Sequence, residues 1–241
     1  MNLAGKTILV TGAARRVGRE MALAIGRAGG DVVVHHSQSP REASQVVSEV
    51  QRMGGKAWAL QADFSAPRQA IGLLEAAWRL APLDGLVNNA AIFEPLGWQD
   101  SSLEAWQRHL DINLTAPFLL CQAFARLLPG EQVGRIINIL DWRALRPGAD
   151  HLPYTISKAG LTALTRSLAE ALAPRIAVNG IALGAILPPA DGADSAGILA
   201  QVPARRWAKM EEVTETLLFL LGGPGYITGE VIHVDGGRHI I

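Results

Sequence analysis

The stretch KTILVTGAARRVGR, residues 6 to 19, joins an apolar run to a turn containing Gly12 and Gly18 and then to a segment of helical period. Glycines allow the backbone of such a turn to approach a ligand closely, and a helix N-terminus offers unpaired N–H groups and a positive dipole. The same pattern also serves plain packing of a helix on a strand. Its position after the first strand of an alternating chain favours a site for a pyrophosphate.

Short aliphatic runs alternate with longer amphipathic segments along the whole chain. The sequence predicts strands over residues 6–12, 31–36, 57–63, 84–90, 135–140, 176–182 and 230–234. It predicts helices over residues 15–28, 40–53, 67–80, 101–128, 152–173 and 209–221. Strands that are apolar on both faces and alternate with helices indicate a parallel sheet covered on both sides. We therefore expect one α/β domain over residues 1–241, with a doubly wound parallel sheet of about seven strands.

One long irregular stretch, LPPADGADSAGILAQVPARR, covers residues 187–206. Long loops in an otherwise compact domain more often close over or bind a ligand than serve as idle connections. We predict that this stretch is a substrate loop.

The composition excludes several classes of function. The 241 residues are 49% hydrophobic, and 22 basic residues balance 22 acidic ones, so nothing favours nucleic acid or a membrane surface as a partner. The single cysteine, Cys121, can form neither an internal disulfide nor a zinc site, and the six histidines lack metal-ligand spacing. No segment resembles a signal peptide or a membrane span. We expect a cytoplasmic protein without a bound metal.

The segment YTISK places Tyr154 and Lys158 four residues apart, on one face of a predicted helix. An ammonium beside a phenol stabilises the phenolate, which predicts that Lys158 lowers the pKa of Tyr154 from its reference of about 10. Proton exchange with a substrate then becomes feasible near neutral pH. The plainer interpretation is an amphipathic helix with an exposed lysine and a half-buried tyrosine.

Seven motifs together resemble the short-chain dehydrogenase/reductase family along nearly the whole length of the chain. They are TGAARRVG at 11–18, Asp63, NNAA at 88–91, Asn113 in DINLTAPF, YTISK at 154–158, VNGIALG at 178–184 and VDGG at 234–237. No single motif is decisive, but their shared order and spacing make chance agreement improbable.

The resemblance implies a Rossmann-type fold, a homotetramer and a nicotinamide cofactor. It implies that Tyr154 is the proton donor, that Lys158 tunes it and holds the nicotinamide ribose, and that Asn113 helps to maintain a water-linked proton path. The cofactor-binding residues that it implies are Gly12, Arg15, Arg16, Val17, Gly18, Ser37, Gln38, Ser39, Asp63, Phe64, Asn89, Ala90, Tyr154, Lys158 and Gly184.

Two departures from the family pattern point to one branch of it. Most members carry a third glycine where this chain has Arg16, and a serine thirteen residues before the tyrosine, where this chain has Asp141. Both departures resemble the pteridine reductases and the bacterial dihydromonapterin reductases. A carboxyl group at position 141 can supply a proton or bind an amino-substituted heterocycle. The alternative is a solvated turn residue that caps the segment after it.

Phe93 lies just beyond the fourth predicted strand. A planar pterin needs a flat apolar face to stack on, with the nicotinamide on its other side, and the resemblance assigns this role to Phe93. The alternative is that Phe93 fills a gap beneath a neighbouring helix. The substrate-binding residues implied by the resemblance are thus Arg16, Phe93, Asp141 and Tyr154.

The region after the second predicted strand favours NADPH over NADH. Enzymes that use NADH usually present an acid there for the ribose hydroxyls, but VVVHHSQS contains none before Glu42. Ser37, Gln38 and Ser39 offer neutral hydrogen bonds, and Arg15 and Arg16 add positive charge for a 2′-phosphate.

The function predicted from these features is the NADPH-dependent reduction of dihydropterins to tetrahydropterins, with dihydrofolate as a further candidate substrate. One alternative is a carbonyl or alcohol oxidoreductase of the same fold. Another is a regulatory protein that binds NADPH without turnover, although such a protein has no need to keep Asn113, Tyr154 and Lys158.

Overall fold

The computed structural model describes residues 1–188 and 195–241, and in it seven parallel strands form one sheet. The strands are β1 (Thr7–Val10), β2 (Asp31–His36), β3 (Ala57–Gln61), β4 (Gly85–Asn88), β5 (Gly134–Asp141), β6 (Ile176–Leu183) and β7 (Val231–Val234). Their spatial order is β3-β2-β1-β4-β5-β6-β7, and every neighbouring pair is parallel. The predicted doubly wound sheet is confirmed.

The helices cover both faces of the sheet. They are α1 (Arg16–Arg27), α2 (Pro40–Arg52), α3 (Gln69–Leu80), α4 (Leu103–Leu110), α5 (Ala116–Leu127), α6 (Leu152–Leu172), α7 (Ser195–Ala200) and α8 (Met210–Gly222). No helix in the described part of the chain is long and apolar enough to cross a membrane.

Successive side chains of β1 point to opposite faces of the sheet and pack into two separate apolar cores. Ile8 and Val10 pack into a cluster with Met21 of α1 and Leu217 of α8, whereas Leu9 packs into a second cluster on the opposite face. Successive side chains of a strand point to opposite faces, so a strand buried on both sides must be apolar at every position. This requirement accounts for the continuous aliphatic runs in the sequence.

The helix predicted over residues 101–128 is interrupted. It begins at Leu103, after Ser102 accepts a hydrogen bond from the Ala105 amide at 3.2 Å, and a π-helical turn over Asp111–Thr115 divides α4 from α5. Pro117 has no N–H to donate to the carbonyl of Asn113, four residues earlier, so regular α-helical bonding cannot continue through this point. The wider turn contains Asn113, one of the predicted site residues.

The stretch predicted to be irregular, residues 187–206, is not irregular throughout, because α7 occupies Ser195–Ala200. The remainder of that prediction includes residues 189–194, which lie outside the described residues.

The carboxyl ends of β1, β4 and β5 meet at one edge of the sheet. Chain connections run away from β1 and β4 in opposite directions, which leaves a crevice between them. Gly12, Asn89 and Asp141, each at or just beyond the end of one of these strands, are therefore brought together.

Candidate active site

A cleft of about 510 Å³ opens at this edge of the sheet. The predicted site residues that line it are Gly12, Arg15, Arg16, Val17, Gly18, Ser37, Asp63, Phe64, Asn89, Ala90, Asp141, Tyr154 and Lys158. Predicted residues that do not line it are Gln38, Ser39, Phe93, Asn113 and Gly184. Lining residues that were not predicted include His35, Ile92, Ile112 and Leu183.

The turn after β1 depends on glycine at two positions. Gly12 has a φ of +62°, which side-chain-bearing residues rarely adopt. A Cβ on Gly18 would lie 2.2 Å from the Gly12 carbonyl oxygen and 2.5 Å from Nδ2 of Asn89. Nδ2 of Asn89 donates to the carbonyls of Thr11 and Gly12, at 2.8 and 3.2 Å. These two hydrogen bonds join the end of β4 to the turn. Only hydrogen at position 18 leaves room for this arrangement.

Arg16 begins α1 with a φ of +50°. The left-handed region is sterically costly for any residue with a Cβ, by about 1 kcal/mol or more. A glycine would adopt this conformation without that cost, which accounts for the third glycine of the family pattern that the sequence resembles. Here the arginine side chain lines the cleft despite that cost.

His35 supports the glycine turn from below, a role that its sequence position did not reveal. Its Nδ1 accepts a hydrogen bond from the Gly12 amide at 3.1 Å, and its Nε2 lies 3.1 Å from the Ala62 carbonyl oxygen. The ring stacks on Phe64 at 4.4 Å. Burial lowers the pKa of His35 to about 4, so the imidazole is neutral, with its proton on Nε2.

Arg15 is already paired in this structure. Its guanidinium forms an ion pair with the carboxylate of Glu42, in the first turn of α2. A 2′-phosphate that binds Arg15 must therefore compete with Glu42. The sequence showed that no acid lies between the second predicted strand and Glu42, but it did not indicate that Glu42 pairs with Arg15.

The hydroxyl of Tyr154, on α6, donates a hydrogen bond of 2.9 Å to Oδ2 of Asp141, the last residue of β5. The other carboxylate oxygen, Oδ1, accepts from the Arg143 amide at 2.9 Å and caps the short 3-10 turn Trp142–Ala144. One oxygen of Asp141 therefore caps the turn and the other contacts the tyrosine, and the part of Asp141 in proton supply stays a prediction. The cap fixes the carboxyl group in the position that contacts the tyrosine.

The predicted effect of Lys158 on Tyr154 is wrong. Burial, followed by the negative charge and hydrogen bond of Asp141, raises the pKa of Tyr154 well above its ordinary value. Lys158 is buried, and its Nζ donates to the carbonyl of Ile139 at 2.6 Å, while lying 5.8 Å from the tyrosine ring centroid. Burial lowers the pKa of Lys158 to about 8. Tyr154 consequently retains its proton until Asp141 or a bound ligand changes its surroundings.

Asn113 lies behind the wall of the cleft rather than on it. Its amide nitrogen donates to the carbonyl of Ile92 and to Oγ of Ser157, both at 3.0 Å, and its oxygen accepts from the Ile92 amide at 2.9 Å. The residue is fully buried. Asn113 thus holds in place the segment that leads from β4 to Phe93, and its part in a water-linked proton path stays a prediction.

Phe93 is 52% exposed, which rules out the interpretation that it fills an interior gap. One face of its ring stacks on His151 at 4.0 Å with an interplanar angle of 8°, and its ring meets that of Tyr154 edge-on at 4.6 Å. His151 has a φ of +52° and its Nδ1 lies 2.8 Å from Oδ2 of Asp150. A planar ligand that stacks on Phe93 must take the opposite face or displace His151.

The described residues include no group of histidine, cysteine or acidic side chains that could hold a metal ion. Cys121 is buried, and burial raises the pKa of its thiol to about 12, so it is not a nucleophile.

Known proteins resemble this chain over almost its full length. Residues 6–197 match the family model described as short chain dehydrogenase. A 3-oxoacyl-[acyl-carrier-protein] reductase from Synechocystis is 36% identical over 240 residues, which cover 98% of this chain and 97% of the relative.

Solved structures resemble the chain equally well. FolM Alternative dihydrofolate reductase 1 from Brucella canis, complexed with NADP, has a TM-score of 0.92 and 33% identity, covering 99% of this chain and 96% of that one. A blue fluorescent protein from a metagenomic library, in complex with NADPH, has a TM-score of 0.92 and 34% identity, covering 99% of each chain. The chain therefore belongs to the short-chain dehydrogenase/reductase family.

Proposed function

We propose that this chain is an NADPH-dependent reductase of pterins, which converts dihydropterins to tetrahydropterins. The observation that carries the proposal is the 2.9 Å hydrogen bond between the Tyr154 hydroxyl and Asp141, at the position where most of the family has serine. The likeness to the FolM dihydrofolate reductase of Brucella canis supports it. The coarser activity, oxidoreduction with a nicotinamide cofactor, is that of the family as a whole.

The cleft fits a dinucleotide. Hydrogen in place of a side chain at Gly18 lets the start of α1 pack against the Gly12 carbonyl and Asn89, and this packing sets the shape of the turn that lines the cleft where a pyrophosphate would lie. Ser37, just after β2, and Arg15 and Arg16, at the start of α1, line the cleft where a ribose 2′-phosphate would lie. Lys158 lines it beside Tyr154, where the nicotinamide ribose would lie. When bound, the reduced nicotinamide supplies hydride.

Reduction of a C=N bond also requires a proton at nitrogen. Tyr154 keeps its proton at neutral pH because its pKa is raised, and its hydroxyl already shares that proton with Asp141 in a hydrogen bond. Asp141 is only partly buried, so its carboxyl group can exchange protons with solvent. The proton that leaves the pair for the substrate nitrogen is then restored from solvent through Asp141.

A second candidate function is the reduction of a 3-oxoacyl thioester. It is favoured by the relatives from Synechocystis and from Aquifex aeolicus, the latter a 3-oxoacyl-[acyl-carrier-protein] reductase FabG that is 34% identical over 244 residues. Its ketone, like a C=N bond, takes one hydride and one proton, and Tyr154 can supply that proton. The feature that favours the pterin is the carboxyl group of Asp141, which can bind an amino-substituted heterocycle. An assembled proton donor in the cleft likewise argues against a regulator without turnover.

NADPH oxidation, followed against a panel of substrates, tests the proposal. The panel contains dihydrobiopterin, dihydromonapterin, dihydrofolate, acetoacetyl-coenzyme A, a quinone and a simple ketone. We expect kcat/KM for the best dihydropterin to exceed that for any other compound class by about tenfold or more, a difference of about 1.4 kcal/mol in transition-state stabilisation. Turnover of the thioester with inert pterins would overturn the proposal in favour of the second candidate.

A further inference from the structure

A second cleft, of about 870 Å³, opens beside the first. We call it the Trp142 cleft, and the residues of its lining that matter here are Trp142, Arg146, Gln201, Arg238 and His239. Among the described residues, none lines both clefts. The consecutive residues Asp141 and Trp142 line the first cleft and the Trp142 cleft, respectively.

Two guanidinium groups lie against the Trp142 ring. The Arg238 guanidinium carbon is 4.0 Å from the ring centroid and that of Arg143 is 4.8 Å from it. Arg238 is only 8% exposed, and its Nη2 donates to Gln201 at 3.1 Å. Within the described part of the chain, the buried Nε atoms of Arg143 and Arg238 have no hydrogen-bond partner. A buried donor left unpaired is costly, and ligand binding is one way to satisfy it.

The positive charge of this cleft is only partly balanced. Arg143 pairs with Asp150 at 2.9 Å, and Nδ1 of His239 lies 2.7 Å from Oδ2 of Asp235. Arg146 and Arg238 form no ion pair with any described residue. Burial, and then the charge of Arg143, lower the pKa of Arg238. An anion between these groups would offset both the repulsion and the loss of hydration.

A continuous series of contacts joins the proton donor to this cleft. The Tyr154 ring meets Phe93 at 4.6 Å, and the Arg143 guanidinium lies 5.6 Å from Phe93 and 4.8 Å from Trp142. Arg238 covers Trp142 in turn. A molecule whose ring lies beside Tyr154 can therefore extend along Arg143 to place its far end at Arg238 and Arg146.

We propose that the Trp142 cleft binds an anionic tail of the substrate, carboxylate or phosphate, while the other end of the substrate is reduced beside Asp141 and Tyr154. The inference rests on the proposed function for the identity of the ring. Among dihydropterins it favours dihydrofolate, whose glutamate tail carries two carboxylates, over dihydrobiopterin, whose tail is neutral. Guanidinium groups suit both carboxylate and phosphate because of their planar, bidentate donors.

Steady-state kinetics with these two dihydropterins test the tail site. For Arg238→Gln we expect KM for dihydrofolate to rise about tenfold, with KM for dihydrobiopterin and both kcat values changed by less than about twofold. The exposed Arg146→Gln provides a second variant whose folding is not at risk, and we expect a rise of about threefold. Arg79→Gln, on the distant helix α3, is the matched control that removes one exposed arginine and should change neither KM.

Direct binding separates this inference from the proposed function. The probes are p-aminobenzoyl-glutamate, which is the folate tail alone, and 4′-phosphopantetheine. Their binding is measured by calorimetry and by the part of the tryptophan fluorescence change that is lost in Trp142→Phe, since the chain has six tryptophans. Binding of either probe that weakens in Arg238→Gln and at high salt supports the tail site and identifies carboxylate or phosphate as the source. This result would stand even if neither pterin were reduced, in which case only the proposed function would fail. Absence of binding by both probes, or equal KM changes for the two pterins in Arg238→Gln, would overturn the inference.

Discussion

The two ends of the first cleft are built in different ways. At the phosphate end, the backbone of the turn between β1 and α1 forms the surface, and its shape depends on Gly12, Gly18 and the neutral ring of His35. At the substrate end, side chains form the surface, and they come from β5, α6 and the segment after β4. The first end is fixed by local geometry and the second by contacts between distant parts of the chain.

This difference explains how the family can keep one cofactor and vary its substrates. Any side chain at position 18 would collide with backbone, so the phosphate end tolerates little change. At the substrate end, the carboxyl group of Asp141 meets side-chain and turn groups, and it caps the turn that follows. The account predicts that substitutions at the two ends change different kinetic quantities.

Gly18→Ala should have the largest effect at the phosphate end. The new Cβ would lie 2.2 Å from the Gly12 carbonyl oxygen, so the turn must shift. We expect the Kd for NADPH to rise by about 100-fold or more, as measured by calorimetry. Gly72→Ala is the matched control, because a Cβ at that helical position meets nothing within 4 Å, and it should leave binding unchanged. NADPH binding by Gly18→Ala that matches the wild type would contradict the backbone account.

Phe93→Ala tests the substrate end. We expect KM for a dihydropterin to rise about tenfold, from a loss of roughly 1 to 3 kcal/mol of stacking and burial, with little change in the Kd for NADPH. Tyr226→Ala, which removes a fully exposed aromatic ring, should change neither quantity. If Phe93→Ala instead lowers the melting temperature and leaves KM unaltered, Phe93 has no role in substrate binding.

His35, at the phosphate end, predicts a pH dependence of the stability of the protein. Its pKa is lowered from 6.5 to about 4, so the folded protein keeps it neutral and the unfolded chain binds the proton more readily. Its contribution to stability is therefore present above pH 6.5 and is lost as the pH falls from 6.5 towards 4. We expect unfolding free energy to fall in that window by up to about 1.4 kcal/mol per pH unit from this group. The slope should be smaller in His35→Gln, and identical slopes in denaturant titrations would contradict the assignment.

The smallest expected effect concerns cofactor choice. We expect the wild type to prefer NADPH over NADH, and Glu42→Gln to lower KM for NADPH about threefold by freeing Arg15 from its ion pair. Glu49→Gln, on the same helix, breaks the 2.8 Å pair with Arg19 and should leave KM unchanged. A kcat/KM with NADH that equals or exceeds the value with NADPH would show that Arg15 and Arg16 do not select for the 2′-phosphate.

Sequence periodicity predicted the fold because parallel strands buried on both faces must be apolar throughout. The inner strands and the glycine turn follow from that local requirement and from steric limits at Gly12 and Gly18, whereas the edge strands β3 and β7 are only partly buried. The interrupted helix near Asn113 could have been anticipated from Pro117, since a residue without an N–H cannot donate to the previous turn.

Contacts between distant residues could not be predicted in the same way. The spacing of Tyr154 and Lys158 predicts a shared helix face, but not that Lys158 bonds the Ile139 carbonyl while Asp141 raises the pKa of the tyrosine. The pair of Arg15 with Glu42 and the stacking of Arg238 on Trp142 likewise join segments far apart in the chain. The family resemblance located Asp141, yet only its geometry showed that one oxygen caps a turn and the other accepts from Tyr154. A homotetramer and a substrate loop near residues 187–206 stay predictions.

The central claim is that Asp141 and Tyr154 act together as the proton source, and the most direct test is the turnover of Asp141→Asn with a dihydropterin and saturating NADPH. This substitution keeps the size of the side chain and its hydrogen bonding but removes the exchangeable acid. We predict that kcat falls about 100-fold, that the pH profile of kcat shifts, and that NADPH binds as in the wild type. Asp141→Ser, which restores the residue usual in the family, should lose a similar factor. Near-normal turnover by both variants on every dihydropterin tested would contradict the claim.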